Sequence, residues 1–188
     1  RQMCIRDRYG AGARYRHDDH AAAHVFRVRA AVYRRTAGKG VTRVSEPIRL
    51  VYNISGEDFT SAGEASSDMK RVMKKLGLSP DLIRRAAICM YEGEINMVIH
   101  ANGGGAEVKI EPERVRLVLS DHGPGIPDVD LAMQEGYSTA TERVRNLGFG
   151  AGMGLPNMKK YSDEMHIDTV LGRGTTVTMI INCPQQTA

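Results

Sequence analysis

The run Asp121-His122-Gly123-Pro124-Gly125-Ile126 constrains this chain more than any other stretch. It follows Val115-Arg116-Leu117-Val118-Leu119-Ser120, which reads as a buried β-strand. An acidic residue at a strand exit, then two glycines one residue apart, makes a tight turn with a carboxylate at its mouth. Glycine admits positive φ and lets a ligand come close to the backbone. By itself the pattern also describes an ordinary strand exit. Its meaning depends on what stands on either side.

On the N-terminal side stands a long helix. Ser79 fits an N-cap and Pro80 a first helical turn, and the apolar spacing predicts a helix over 81–101. Ile83, Ala86, Ala87, Met90, Ile95, Val98 and Ile99 make it largely buried. Glu92, Asn96 and His100 fall at i, i+4 and i+8 and share one face. A polar stripe on a buried helix is costly unless something satisfies it. The alternative is a solvated helix edge, and Glu94, off the stripe, reads as ordinary polarity.

On the C-terminal side lies Gly148-Phe149-Gly150-Ala151-Gly152-Met153-Gly154-Leu155-Pro156. Glycines at alternate positions predict a mobile loop whose N–H groups can wrap an anion. A helix over 155–163 starts directly behind it and adds the positive end of a helix dipole. The other elements are a strand at 48–54, a helix at 62–76 capped by Gly77, and a hairpin of strands 106–110 and 114–119. Asn102 to Gly105 reads as the end of the long helix. A short helix near 131–133 and strands at 164–170 and 175–181 complete the set.

Charge divides the chain. Residues 1–45 hold 11 Lys/Arg against 3 Asp/Glu, whereas residues 46–188 hold 15 against 19. The expected folded part, 46–183, is therefore mildly acidic, with no basic face carrying interleaved aromatics. This argues against direct nucleic-acid binding. Residues 1–45 read as a basic, disordered extension whose opening resembles translated adaptor sequence, and residues 184–188 as a frayed end. His17, His20 and His24 lack the cysteine or carboxylate company of a metal cage. Cys4, Cys89 and Cys183 form neither a disulfide framework nor a zinc pattern, which points to a reducing cytoplasm. There is no signal-peptide pattern and no run of eighteen apolar residues.

The ordered set is Glu-x3-Asn-x3-His on a helix, Asp-x-Gly-x-Gly at a strand exit, a Gly-x-Gly-x-Gly loop opening a helix, and a Gly174-Thr175-Thr176 strand start. This set resembles the nucleotide pocket of the GHKL, or Bergerat-fold, ATPases, which include gyrase B, Hsp90, MutL and sensor-kinase catalytic domains. The resemblance covers about residues 48–182. No Gly-x4-Gly-Lys-Ser/Thr loop is present, so a nucleotide would be held in this other way. Asp121 to Asp128, Leu131 to Thr139 and the Gly154-Leu155-Pro156 run look most like the anti-sigma-factor and serine/threonine-kinase group of RsbT/RsbW/SpoIIAB type. An inserted stretch, about 140–149, departs from the short lid of the switch kinases.

The resemblance implies an α/β (α+β) two-layer sandwich, with a mixed, mostly antiparallel sheet and helices on one face. It implies ATP and Mg2+ as cofactors. Asp121 would accept from the adenine amino group, joined by Thr175, with Gly123, Gly125 and Ile126 passing near the base. Asn96 would hold Mg2+ through its amide oxygen. Gly150, Gly152, Gly154 and Leu155 would close over the phosphates. His100 would touch them or simply pack. Arg143 and Arg145 would neutralise γ-phosphate charge or form a solvated lid face. Glu92, one helical turn before Asn96, is placed to take a proton from a serine hydroxyl or water.

Two classes of function follow. One is a serine/threonine kinase acting on a STAS-domain anti-sigma antagonist. The other is a nucleotide-dependent module that sequesters a sigma factor or switch protein without turnover. Glu92 favours the first, since a pure binder needs no base. The catalytic half of a sensor histidine kinase is a weaker fit, and gyrase or Hsp90 roles would need large additional domains. A homodimer is compatible with either class.

Overall fold

The structure is a computed structural model and describes residues 47–56 and 62–184. The basic stretch 1–45, with Cys4, His17, His20 and His24, and residues 185–188 lie outside the described residues. The elements run β1 (Ile48–Ser55), α1 (Glu64–Lys75), α2 (Pro80–His100), β2 (Gly103–Ile110), β3 (Arg114–Ser120), α3 (Val129–Ala132), α4 (Glu142–Asn146), α5 (Gly154–Tyr161), β4 (Glu164–Val170) and β5 (Gly174–Asn182).

The five strands form one sheet in the order β1-β2-β3-β5-β4. Every adjacent pair is antiparallel, so the sheet is not mixed as expected. Alternation along the strands sets one face inward. Leu50 and Tyr52 of β1, Val108 and Ile110 of β2, Leu117 of β3 and Met179 and Ile181 of β5 are buried on it. Met69 and Met73 of α1, Ala86, Cys89 and Met90 of α2, and Leu155 and Met158 of α5 meet them in one core. The opposite face carries Arg49, Glu107, Lys109 and Arg116 and is open. An Arg49–Glu107 ion pair crosses β1 and β2 there.

Helix α2 is the spine of the helical layer. Ser79 caps it, its side chain accepting from Leu82 N at 3.3 Å, and Pro80 sits in its first turn. Its C-terminal boundary differs from the expected one. Asn102 at φ 55 turns the chain sharply, and β2 begins at Gly103, paired with Ser55. The glycines assigned to a helix end are strand residues, because their backbone groups pair with β1 and β3.

Glu94 also departs from expectation. It is 2% exposed, and its carboxylate accepts from Ala65 N at 3.2 Å and Ser66 N at 3.1 Å. Gly63, at the N-cap of α1, offers no side-chain oxygen. A helix start leaves unpaired N–H donors, and here a carboxylate from the neighbouring helix satisfies two of them. Burial raises the Glu94 carboxyl, and the N–H groups of Ser66 and Ala65 pull it back down.

Helix α5 is pinned to α2 at its far end. Arg85 Nε donates to Tyr161 O at 3.1 Å, and Arg85 Nη2 pairs with Asp163 at 2.8 Å. Asp163 also accepts from Asn182 N at 2.6 Å. Cys89 is fully buried against Met158 O, and burial pushes its thiol up to about 12. That thiol is a packing group.

Candidate functional site

The site is assembled from three stretches remote in sequence. The polar stripe of α2 forms one wall, the β3 exit with the start of β5 a second, and the segment 148–158 the third. They enclose a cavity of about 540 Å3. A space of this size suits a ligand of nucleotide dimensions.

Glu92, Asn96 and His100 all face it from α2. Glu92 is half-buried, and Asn157 Nδ2 donates to its Oε1 at 2.7 Å. Asn96 is half-buried under the lid. A Cβ on Gly154 would stand 2.9 Å from Asn96 Oδ1 and 3.0 Å from Nδ2, so any larger residue at the start of α5 would have to displace that amide. His100 is open to the cavity yet crowded by its walls, and that partial desolvation lowers its imidazole below the ordinary value and favours the neutral ring.

Asp121 stands just past the end of β3. Its Oδ1 accepts from Gly123 N at 2.8 Å and Thr175 N at 3.1 Å. Among the described residues no group donates to Oδ2. One carboxylate oxygen is therefore fixed by the backbone while the other is left for a donor in the cavity. Thr175 is buried, and its hydroxyl lies 3.0 Å from that of Thr169, which also accepts from Ile126 N at 2.8 Å.

Gly125, Ile126, Gly150, Gly152, Gly154 and Leu155 line the cavity. Gly123, Arg143 and Arg145 are not brought to it. The turn glycines have structural reasons of their own. A Cβ on Gly123 would meet Ala101 Cβ at 2.6 Å, and one on Gly125 would meet Val170 O at 2.6 Å. The turn is thus pressed between the end of α2 and the β4–β5 hairpin. The inserted stretch holds α4, a short helix that the sequence pattern did not reveal. Arg145 on it donates to Ser138 O at 3.0 Å, and Arg143 is exposed.

Sequence reasoning missed Asn157, which touches Glu92, and gave no role to Tyr137, Ser138, Thr139 and Phe149, which line the cavity. The signal for Asn157 was its place one turn after Gly154 on the same helix. Among the described residues no group of three or more His, Cys, Asp or Glu could hold a metal ion. No helix there is long and apolar enough to cross a membrane.

The family of Histidine kinase-, DNA gyrase B-, and HSP90-like ATPases matches residues 81–185, more than half of the chain. The matched region opens with α2 and takes in the whole cavity. Serine/threonine-protein kinase RsbT of Bacillus subtilis is 30% identical over 115 residues, spanning 59% of this chain and 80% of that protein. The anti-sigma F factor of Pasteuria penetrans is 36% identical over 96 residues, 47% of this chain and 61% of that protein. The chain thus spans about six-tenths of the length of that anti-sigma relative. Among solved structures, the RsbU and RsbW domains of Rv1364c from Mycobacterium tuberculosis share the fold. That match has a TM-score of 0.50 at 15% identity, over 77% of this chain and 35% of that one.

Proposed function

Because the chain belongs to the Histidine kinase-, DNA gyrase B-, and HSP90-like ATPase family, we propose that it is a protein serine/threonine kinase. It binds Mg-ATP and phosphorylates a STAS-domain partner in a bacterial sigma-factor switch, in the cytoplasm. The observation that carries this reading is the joining of Glu92, Asn96 and Asp121 on the walls of one cavity closed by 148–154.

The donors present fit the nucleotide. Among the described residues no group donates to Asp121 Oδ2, a carboxylate oxygen matched to an exocyclic amino group and mismatched to a carbonyl. Asn96 offers one amide oxygen. Mg2+ is content with few protein ligands, because phosphates and waters supply the rest. The Gly-rich segment brings backbone N–H groups to the cavity mouth, ahead of the N-terminus of α5.

Bound metal would neutralise phosphate charge and hold the nucleotide's tail in register. The chain's own residues do the remainder. Asp121 and Thr175 anchor the base end, and Gly150 to Gly154 exclude water from the other end. Glu92 takes the proton from a serine or threonine hydroxyl of the acceptor. That oxygen bonds to the γ-phosphorus as the bond from γ-phosphorus to the β–γ bridging oxygen breaks, and ADP leaves. Positioning and charge neutralisation supply most of the rate in such a transfer.

A protein acceptor rather than water is favoured by a second groove. A space of about 550 Å3 between α1 and α2 meets the cavity at Tyr91 and Glu92. Glu92 is therefore reachable from outside the nucleotide cavity.

The similarity to an anti-sigma F factor keeps a second reading in play, a module that sequesters a sigma factor. Incubation with γ-labelled ATP, Mg2+ and STAS-domain proteins of the same genome separates the two. Label on a partner serine or threonine establishes the kinase. A stable, unlabelled complex with a sigma factor establishes the binder.

A further inference from the structure

Glu92 and Asn157 lie on different helices, yet Asn157 Nδ2 donates to Glu92 Oε1 at 2.7 Å. A second close approach runs beside it, where a Cβ on Gly154 of α5 would come within 2.9 Å of the Asn96 amide of α2. On α2 the contacted residues are four apart, on α5 three apart, and the order is reversed. That is the stepping of two antiparallel helices, one turn per contact.

We infer that Asn157 is the positioning residue for Glu92, a reading that rests on Glu92 being the base. A glutamate's terminal torsion is broad, so an unheld carboxylate samples many orientations. Asn157 takes Oε1 and leaves Oε2 as the oxygen that meets the acceptor hydroxyl. It does so as a neutral donor and adds no charge beside the phosphates. Because Asn157 is one turn from Gly154, the base is aimed by the same helix end that the Gly-rich lid feeds. Seating the lid on Asn96 and aiming Glu92 are then one movement.

The contact is not needed to dock α5. Leu155 and Met158 bury that helix in the core, and Arg85 fixes its far end through Tyr161 O and Asp163. A contact surplus to packing, placed on the one carboxylate shared by both cavities, is explained by orientation.

The test uses the full chain and compares wild type, Asn157→Leu, Glu92→Gln and the double variant. Leucine keeps asparagine's branching and number of heavy atoms and cannot donate. The readouts are transfer of γ-label to a STAS-domain acceptor, release of labelled phosphate to water, and calorimetric affinity for Mg-ATP. The expected result for Asn157→Leu is a kcat lowered by about 10- to 100-fold, the range that a small misplacement of a catalytic group produces. Mg-ATP affinity and KM should stay within about two-fold, since uniform binding is untouched. The double variant should be no slower than Glu92→Gln alone, because Asn157 acts only through Glu92. A wild-type rate in Asn157→Leu, losses that multiply in the double variant, or a loss confined to ATP affinity overturns the inference while leaving the base in place. A wild-type rate in Glu92→Gln removes the base itself. A wild-type chain that neither labels an acceptor nor releases phosphate overturns both.

Discussion

The start of α1 depends on a carboxylate from another helix, and that dependence can be measured. Glu94→Gln keeps the shape of the side chain and one oxygen. It replaces the other oxygen by an NH2 group facing an N–H. Of the two bonds, to Ala65 N at 3.2 Å and Ser66 N at 3.1 Å, one is lost. Where the gap is widest, in acid, the carboxyl is neutral and its hydroxyl oxygen can still accept, so the bond lost is a neutral one contributing about 0.5–1.5 kcal/mol. For a domain of this size that is roughly 2–5 °C in thermal midpoint. The pH dependence adds a second constraint. Burial raises the Glu94 carboxyl above its ordinary 4.5, against the lowering pull of the Ser66 and Ala65 N–H groups. A group raised in the folded state contributes stability that is complete below the ordinary value and declines as pH rises through the folded value. Glutamine has no such dependence. The gap between wild type and variant should therefore be widest in acid and narrow as pH rises. Thermal melts followed by far-UV circular dichroism between pH 4 and pH 8 read both effects. Midpoints that coincide across the range, or a gap that widens with rising pH, would refute the capping role.

Four further outcomes follow from the site. Asp121→Asn replaces the unengaged oxygen by a donor and should weaken Mg-ATP by about 10- to 100-fold in calorimetry, the range set by one charged hydrogen bond; an unchanged Kd would remove the adenine role. Glu92→Gln should leave that Kd within about two-fold while label transfer is lost; equal transfer by the variant would end its assignment as base. Gly154→Ala drives a methyl group to 2.9 Å from Asn96 Oδ1 and should lower the Mg2+ dependence of nucleotide binding more than nucleotide binding without metal. The His100 imidazole is lowered by desolvation, so its contribution to stability is present above about pH 6.5 and is lost as pH falls through its folded value; His100→Gln should flatten the denaturation-midpoint slope in that window.

The sheet and its helices were legible because their signals are local. Alternation in 48–54 and 114–119 and the Ser79-Pro80 start of α2 each state their own element. Asp121 was legible for the same reason, since a carboxylate at a strand exit is visible in six residues. The misreadings occurred where a residue's role is set by something distant. Glu94 looks polar and idle on its own helix, and only the unfilled cap at Gly63, some thirty residues earlier, gives it work. Gly103 to Gly105 look like a helix stop, but Ser55 and Ser120 pair with that backbone and make it strand. Of the turn glycines expected near a ligand, Gly125 lines the cavity and Gly123 does not, being pressed against Ala101. Asn157 had only its place one turn after Gly154 to mark it, because its partner is 65 positions away.

The geometry of the α2–α5 pair ties these pieces to chemistry. At the C-terminal end of α5, Arg85, Asp163 and the Asn182 N–H form a closed network beside the core, and Cys89 packs below it. At the other end Gly154 lies close to Asn96 and Asn157 donates to Glu92, both at the cavity wall. One end of α5 is therefore held by the fold, and the other joins a Gly-rich segment to Glu92 and Asn96 on the cavity wall. The polar stripe on α2, costly in an otherwise buried helix, is met by that neighbour's Asn157 at Glu92 and opens on the cavity at Asn96 and His100.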